Sequence, residues 1–226
     1  ITIAQVRAVA RGEAQVALAP AIMARLAQAR DVIARSLSRG EAVYGLTTGL
    51  GAAVDTRLSD DQIAAFQQRA VRARAVGVGE RLCVVDVRAM LFARLAGLAQ
   101  GASGISPVFA ETIAAMLNAG LHPVVRRIGS LGEADLSPLA QAFLPLCGEG
   151  EAELRGETMP GAAAMAAAGI ALPEFGPKDG LALLNANAQS TGMAALMLGE
   201  MRLALDALTV AGALSLEAYR ANLSPI

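Results

Sequence analysis

Tryptophan is absent, and aromatics make up only 3% of the 226 residues. A core this poor in rings has to be filled with aliphatic side chains. Alanine supplies much of the 54% hydrophobic content, which favours closely packed helices over sheet. Histidine occurs once, as His122, and cysteine twice, as Cys83 and Cys147, without Cys-x-x-Cys spacing. No metal site is expected from such a set, and the cysteines read as free thiols of a reducing compartment. An excess of charge is also missing: 19 Lys and Arg face 20 Asp and Glu, for a net charge of −1. That balance argues against a nucleic-acid surface or a polybasic membrane patch. Long apolar runs are missing too. Gly161 to Leu172 is the most apolar stretch and ends at Pro173, while Glu200, Arg202 and Asp206 interrupt the segment after Gly192. A membrane span needs about 20 apolar residues, so none is expected. The opening residues do not read as a signal peptide, and a cytoplasmic protein is expected.

What is present points to a helical globular chain. With 17% charged residues the composition is far from that of disordered segments. Apolar spacing predicts a short helix near Ile3 to Val9 and a longer one after Pro20, carried by Ile22, Leu26, Val32, Ile33 and Leu37 and stopped at Gly40. Ser59 with Gln62 forms a capping box for a helix towards Ala75, broken by Gly77 and Gly79. Further helices are expected over Val84 to Gln100, up to Asn118-Ala119-Gly120, from Asp135, and over Ala188 to Tyr219. Residues 151–157 alternate weakly around Arg155-Gly156 and read as a small hairpin or irregular excursion. The alanine run at 162–168 reads as helix. The last helix is long enough for a bundle with buried subunit contacts.

Three polar or glycine-rich spots interrupt this pattern: Tyr44 to Gly51, Gly129 to Asp135, and Asn185 to Thr191. Glycine in a loop between helices permits close backbone approach to a ligand. Taken singly, each also reads as an ordinary helix connection. Asn185, Asn187 and Gln189 suit helix caps, and Tyr44 suits a core position with a satisfied hydroxyl. No Ser–His–Asp set, P-loop or metal-ligand cluster is present.

The order of these segments carries a resemblance. Tyr44-Gly45-Leu46-Thr47-Thr48-Gly49-Leu50-Gly51, followed by Asp55-Thr56-Arg57, is similar to the tyrosine loop of histidine and phenylalanine ammonia-lyases. Gly129-Ser130-Leu131-Gly132 with Asp135-Leu136-Ser137-Pro138-Leu139-Ala140 resembles the family signature GSxGASGDLxPLA. Gly148-Glu149-Gly150, Asp179-Gly180-Leu181-Ala182-Leu183-Leu184-Asn185 and Leu214-Ser215-Leu216-Glu217-Ala218 match later landmarks in register. The resemblance runs from end to end and implies an all-α fold of long helices. It further implies an N-terminal helical domain over 1–130 bearing the tyrosine loop, and over 131–226 the start of a central helical bundle. A homotetramer with active sites shared between subunits is implied as well. The chain opens at Ile1 rather than Met and closes in Leu223-Ser224-Pro225-Ile226. A piece lacking the family's second half, inactive alone, is therefore expected.

Residue by residue, the resemblance makes Tyr44 a general base and Asn185 a contact of the cofactor and amine end. Gly49 and Gly51 shape the tyrosine's loop. The family's electrophile, methylidene-imidazolone, forms from an Ala-Ser-Gly tripeptide, but here the place reads Gly132-Glu133-Ala134-Asp135, one residue shorter and without serine. No cofactor is therefore expected; methylidene-imidazolone would require a modified residue in that loop. Ala102-Ser103-Gly104 falls at a helix break and reads as coincidence. Arg74 stands where histidine ammonia-lyase has a substrate-contacting histidine. It reads either as a solvated arginine of the Arg72–Arg74 stretch or as a donor to an anionic or thione substrate tail. Glu133 and Asp135 suit a cationic ammonium. The resemblance thus implies a carbon–nitrogen lyase giving an α,β-unsaturated acid from a small amino acid or betaine. Without the electrophile, an ergothionase-like reaction on a trimethylammonium betaine is expected. A conventional histidine ammonia-lyase and an inactive structural homologue are the alternatives.

Overall fold

The computed structural model describes the chain apart from residues 52, 53, 223, 225 and 226 and the side chains of residues 60, 61 and 64. Its architecture is all-α with two small sheets. Helix α1 (Ile3–Ala10) starts at a capping box in which Thr2 and Gln5 satisfy each other's backbone amides. Helix α2 (Pro20–Ser38) begins at a proline, whose missing N–H costs nothing there, and ends just before Gly40. Val32, which the apolar spacing put on the buried stripe, is exposed; Leu26 and Ile33 carry that face. Helix α3 (Asp60–Arg72) has the Ser59–Gln62 capping box.

Helix α4 (Val84–Leu98) is apolar nearly all round, and nine of its residues are buried. That is the signature of a central helix rather than a surface one. Leu91, Met90 and Leu98 are fully enclosed, each worth about 1.5–3 kcal/mol of burial. Two arginines, Arg88 and Arg94, are buried with them. Each donates to carbonyls at helix ends: Arg88 to Val9 (2.9 Å) and Leu117 (2.8 Å), Arg94 to Leu183 (3.1 Å) and Ala182. Burial pushes the Arg94 guanidinium down to about 10, still above neutral pH. Helix α5 (Pro107–Ala119) ends at Gly120 in the left-handed conformation that glycine adopts without penalty.

Two sheets form where sequence spacing gave one excursion. Strand β1 (Val78–Arg81) pairs antiparallel with β3 (Arg126–Ile128). Strand β2 (Leu121–Pro123) joins the expected hairpin of β4 (Glu151–Leu154) and β5 (Glu157–Pro160) in the order β2-β4-β5. Strands of three residues hold too few alternating positions to be read as strands. Between the strands lie α6 (Leu136–Phe143) and a 3-10 turn (Leu144–Cys147), followed after β5 by α7 (Gly161–Ala167). A short helix α8 (Asp179–Leu184) and the long α9 (Ala188–Ala218) close the chain. One contiguous core runs from Val6 to Ala188, with Phe109 and Phe175 edge to face at 4.8 Å. No helix among the described residues is long and apolar enough to cross a membrane.

Candidate active site

The tyrosine loop folds back on itself. Thr48 bridges Arg57, Gly49 N–H donates to Thr56 (3.0 Å), and Leu58 N–H donates to Thr47 (2.9 Å). The Thr47 hydroxyl accepts from Val43 N–H (2.8 Å) and donates to the Glu41 carbonyl (2.7 Å). These bonds fix the loop's backbone and leave Tyr44 half-exposed at its outer edge. Gly51 N–H donates to the Tyr44 hydroxyl oxygen at 3.2 Å. The phenol is thereby oriented by a backbone donor, and its own proton is free to point elsewhere.

The second segment is tied to the third. Asp135 N–H donates to the Ala186 carbonyl (3.0 Å), one residue beyond Asn185. The Asp135 carboxylate is buried and accepts from the Ser130 hydroxyl (2.8 Å), Ser190 N–H (2.8 Å) and the Ser190 hydroxyl (3.0 Å). An acidic group at the start of α9 satisfies an orphan amide and suits the helix dipole. Helix α8, which presents Asn185, is held at both ends. Asp179 accepts from Ser106 N–H and hydroxyl and Gly176 N–H, all at 2.8 Å, and lies 3.5 Å from Arg30. Arg94 grips the other end.

These segments meet at a cavity of about 630 Å³. Tyr44, Arg74, Glu133 and Asn185 all line it, with apolar walls from Leu50, Val76, Leu131 and Leu181. Gly49 is not a lining residue and its amide belongs to the loop's internal ladder, while Gly51 acts on Tyr44 through its amide. Asp135 is not a lining residue; both its oxygens are engaged by serines. Arg74 donates to the Ala70 carbonyl (3.1 Å), and among the described residues it forms no salt bridge. Its remaining donors are available to an anionic or thione group. Ser137 is also a lining residue; its hydroxyl oxygen is buried and, among the described residues, has no hydrogen-bond partner. In the sequence Ser137 appears only as the variable position of the signature segment, with no role attached to it.

His122 lies on β2, away from this cavity. Burial and the nearby Arg88 push its imidazole down to about 4, so it stays neutral, and its place outside the cavity keeps it from acting as a base there. Among the described residues no cluster of His, Cys, Asp and Glu could hold a metal ion. The loop does not fit methylidene-imidazolone either. Residues Gly132-Glu133-Ala134 offer no serine hydroxyl to eliminate, and the next amide, Asp135 N–H, is already donated to Ala186.

A family model for aromatic amino acid lyase matches residues 1–226. The chain belongs to the aromatic amino acid lyase family. A histidine ammonia-lyase of Alkaliphilus metalliredigens is 39% identical over 221 residues, which is 97% of this chain and 44% of that one. The crystal structure of histidine ammonia-lyase from Trypanosoma cruzi superposes with a TM-score of 0.90 at 27% identity, over 98% of this chain and 44% of that one. Ergothionase from Treponema denticola, solved with desmethyl-ergothioneine sulfonic acid, superposes with a TM-score of 0.87 at 31% identity, over 89% of this chain and 41% of that one. The chain thus spans less than half the length of these relatives.

Proposed function

We propose that this chain forms part of a carbon–nitrogen lyase that eliminates an amine from a histidine-like or aromatic substrate, leaving an α,β-unsaturated acid. The observation that carries the reading is a single cavity lined by Tyr44, Asn185, Arg74 and Glu133. Tyr44 takes the proton from the carbon β to the carboxylate. The electrons of that C–H bond become the C=C bond, and the C–N bond breaks with its electrons on nitrogen. The Gly51 amide aimed at the phenolic oxygen supports charge on that oxygen when it acts as a base.

The substrate nitrogen decides whether an electrophile is needed. Ammonia is a poor leaving group, and the serine that would build the family's electrophile is missing. A trimethylammonium nitrogen leaves as a neutral amine without activation, and Glu133 at the cavity supplies a countercharge to the cation. Arg74, free of carboxylate partners among the described residues, suits a thione-bearing or anionic tail. The preferred substrate is therefore a histidine betaine, with the ergothionase relative supporting the class. A conventional histidine ammonia-lyase is the second reading, favoured by the relative at 39% identity. The working form is a homotetramer with no cofactor.

The full-length protein, incubated with histidine, with its trimethyl betaine and with the thiolated betaine, tests this. Trimethylamine release from a chain of unmodified mass is expected. Ammonia from histidine, with the chain lighter by two waters, would favour the second reading. No turnover of any of the three would leave an inactive homologue.

A further inference from the structure

We propose that Gln67 is a positioning residue that locks the tyrosine loop to helix α8 and so sets the separation of Tyr44 and Asn185. The claim rests on the lyase reading of these two groups. Gln67 is fully buried on α3 and does not line the cavity. Its side-chain Nε2 donates to the Gly45 carbonyl at 3.0 Å, and its Oε1 accepts from Leu181 N–H at 3.1 Å. Gly45 is the residue after Tyr44. Leu181 in turn accepts Asn185 N–H on its carbonyl at 3.0 Å. One amide therefore reaches the residue next to the base and, through one more hydrogen bond, the residue that faces it.

The packing around this amide leaves no slack. A Cβ on Gly180 would lie 2.2 Å from the Gln67 carbonyl oxygen, and one on Gly45 would lie 2.5 Å from Leu181 Cδ2. Gly180 thus lets the backbones of α8 and α3 nearly touch, and Gly45 leaves room for the Leu181 side chain against the tyrosine loop. Gln67 shares the buried stripe of α3 with Ile63, Ala70 and Val71. A leucine would fill that place as well as glutamine does. It could not hold two backbone groups that belong to separate segments, and both would be left buried and unpaired. A displacement of about 1 Å between reacting groups costs about a hundredfold in rate, so this clamp acts on turnover beyond its share of stability.

The decisive variant is Q67E in the full-length protein, assayed on whichever of the three substrates above it turns over. A carboxylate still accepts from Leu181 N–H but has no proton for the Gly45 carbonyl. Protonation restores the donor. The ratio of kcat in Q67E to wild type should therefore rise as pH falls, with KM unchanged to within about threefold. Burial raises the pKa of the new carboxyl, so the comparison spans neutral to alkaline pH: amide exchange over residues 44–51 should be faster than in wild type where the carboxyl is ionised and slow again where it is protonated, while 181–185 stay protected. Q67L, which loses both bonds, should lower kcat about tenfold to a hundredfold at all pH. If Q67E does not fold, Q67M takes its place, and a wild-type kcat there overturns the claim. Y44F is measured alongside. If Y44F is inactive but the Q67E ratio is flat in pH, the positioning claim alone falls. If Y44F keeps wild-type turnover, the lyase reading of the site falls and the claim falls with it.

Discussion

Helix α9 enters the protein and leaves it under opposite constraints. Its first turns are tied down: Ala188, Gln189 and Gly192 are buried, and Ser190 is capped by Asp135. From Glu200 onward every described residue of the helix is exposed, including Leu203, Leu205, Leu208, Val210 and Leu214. Both halves are apolar, yet among the described residues only the first has a partner within this chain. Hydrophobicity alone therefore does not say where a helix packs. What separates the halves is the presence of a polar anchor and a small residue at the crossing. An apolar face open over such a length is more than a free-standing chain usually exposes, and this chain spans less than half the length of the relatives it matches.

The largest effect should come from removing the anchor. Asp135→Ala strips three hydrogen bonds at once and leaves the Ser190 amide and two serine hydroxyls without their acceptor. A loss of about 3 kcal/mol is expected, read by chemical denaturation of the full-length protein. Asp135→Asn keeps an acceptor and should cost less than half of that. If D135A unfolds at the wild-type denaturant concentration, the anchored half owes nothing to its cap.

Next in size is the crossing. A Cβ on Gly192 would lie 2.7 Å from the Ala89 carbonyl carbon and 2.8 Å from the Met90 nitrogen. These are backbone atoms of α4, which cannot swing aside as a side chain could. Gly192→Ala should therefore force α9 off α4 and destabilise by about 2 kcal/mol, despite alanine's better helix propensity. A melt in which G192A matches or exceeds wild type would mean that the two helices sit further apart than 2.7 Å allows.

The same contrast separates what could be read from the sequence from what could not. Helix starts and stops were legible because single residues carry them: the Ser59–Gln62 box, Pro20 and Gly120 act locally, whatever the rest of the chain does. Tyr44, Arg74, Glu133 and Asn185 were legible as a set only through family resemblance, and the structure brings all four to one cavity. Asp135 was expected to face a substrate, but its environment is set by Ser190, 55 residues away, which no local pattern reveals. Gln67 and Arg94 escaped notice for the same reason. A buried polar side chain looks like any other on its own helix; its partners, Gly45 and Leu181 for one, Ala182 and Leu183 for the other, come from distant segments. The pairing of β1 with β3 was missed likewise, since nothing in either short strand names the other.

The smallest effect has the opposite sign and probes the open half of α9. Gly212 lies in the middle of the helix, and a Cβ there would meet nothing within 4 Å. Gly212→Ala removes backbone freedom from the unfolded chain and adds no clash within this chain, so it should stabilise by about 0.5–1 kcal/mol. One helix would then hold two glycines whose replacement by the same residue moves stability in opposite directions. The measurement is the difference in denaturation midpoint between G212A and wild type in the full-length protein. A stabilised G212A means that this stretch stays uncrowded in the full-length protein. A destabilised G212A means that another helix approaches Gly212 as closely as α4 approaches Gly192. In that case the contrast between the halves belongs to this chain alone, and the far half is as tightly packed in the assembly as the near half is here.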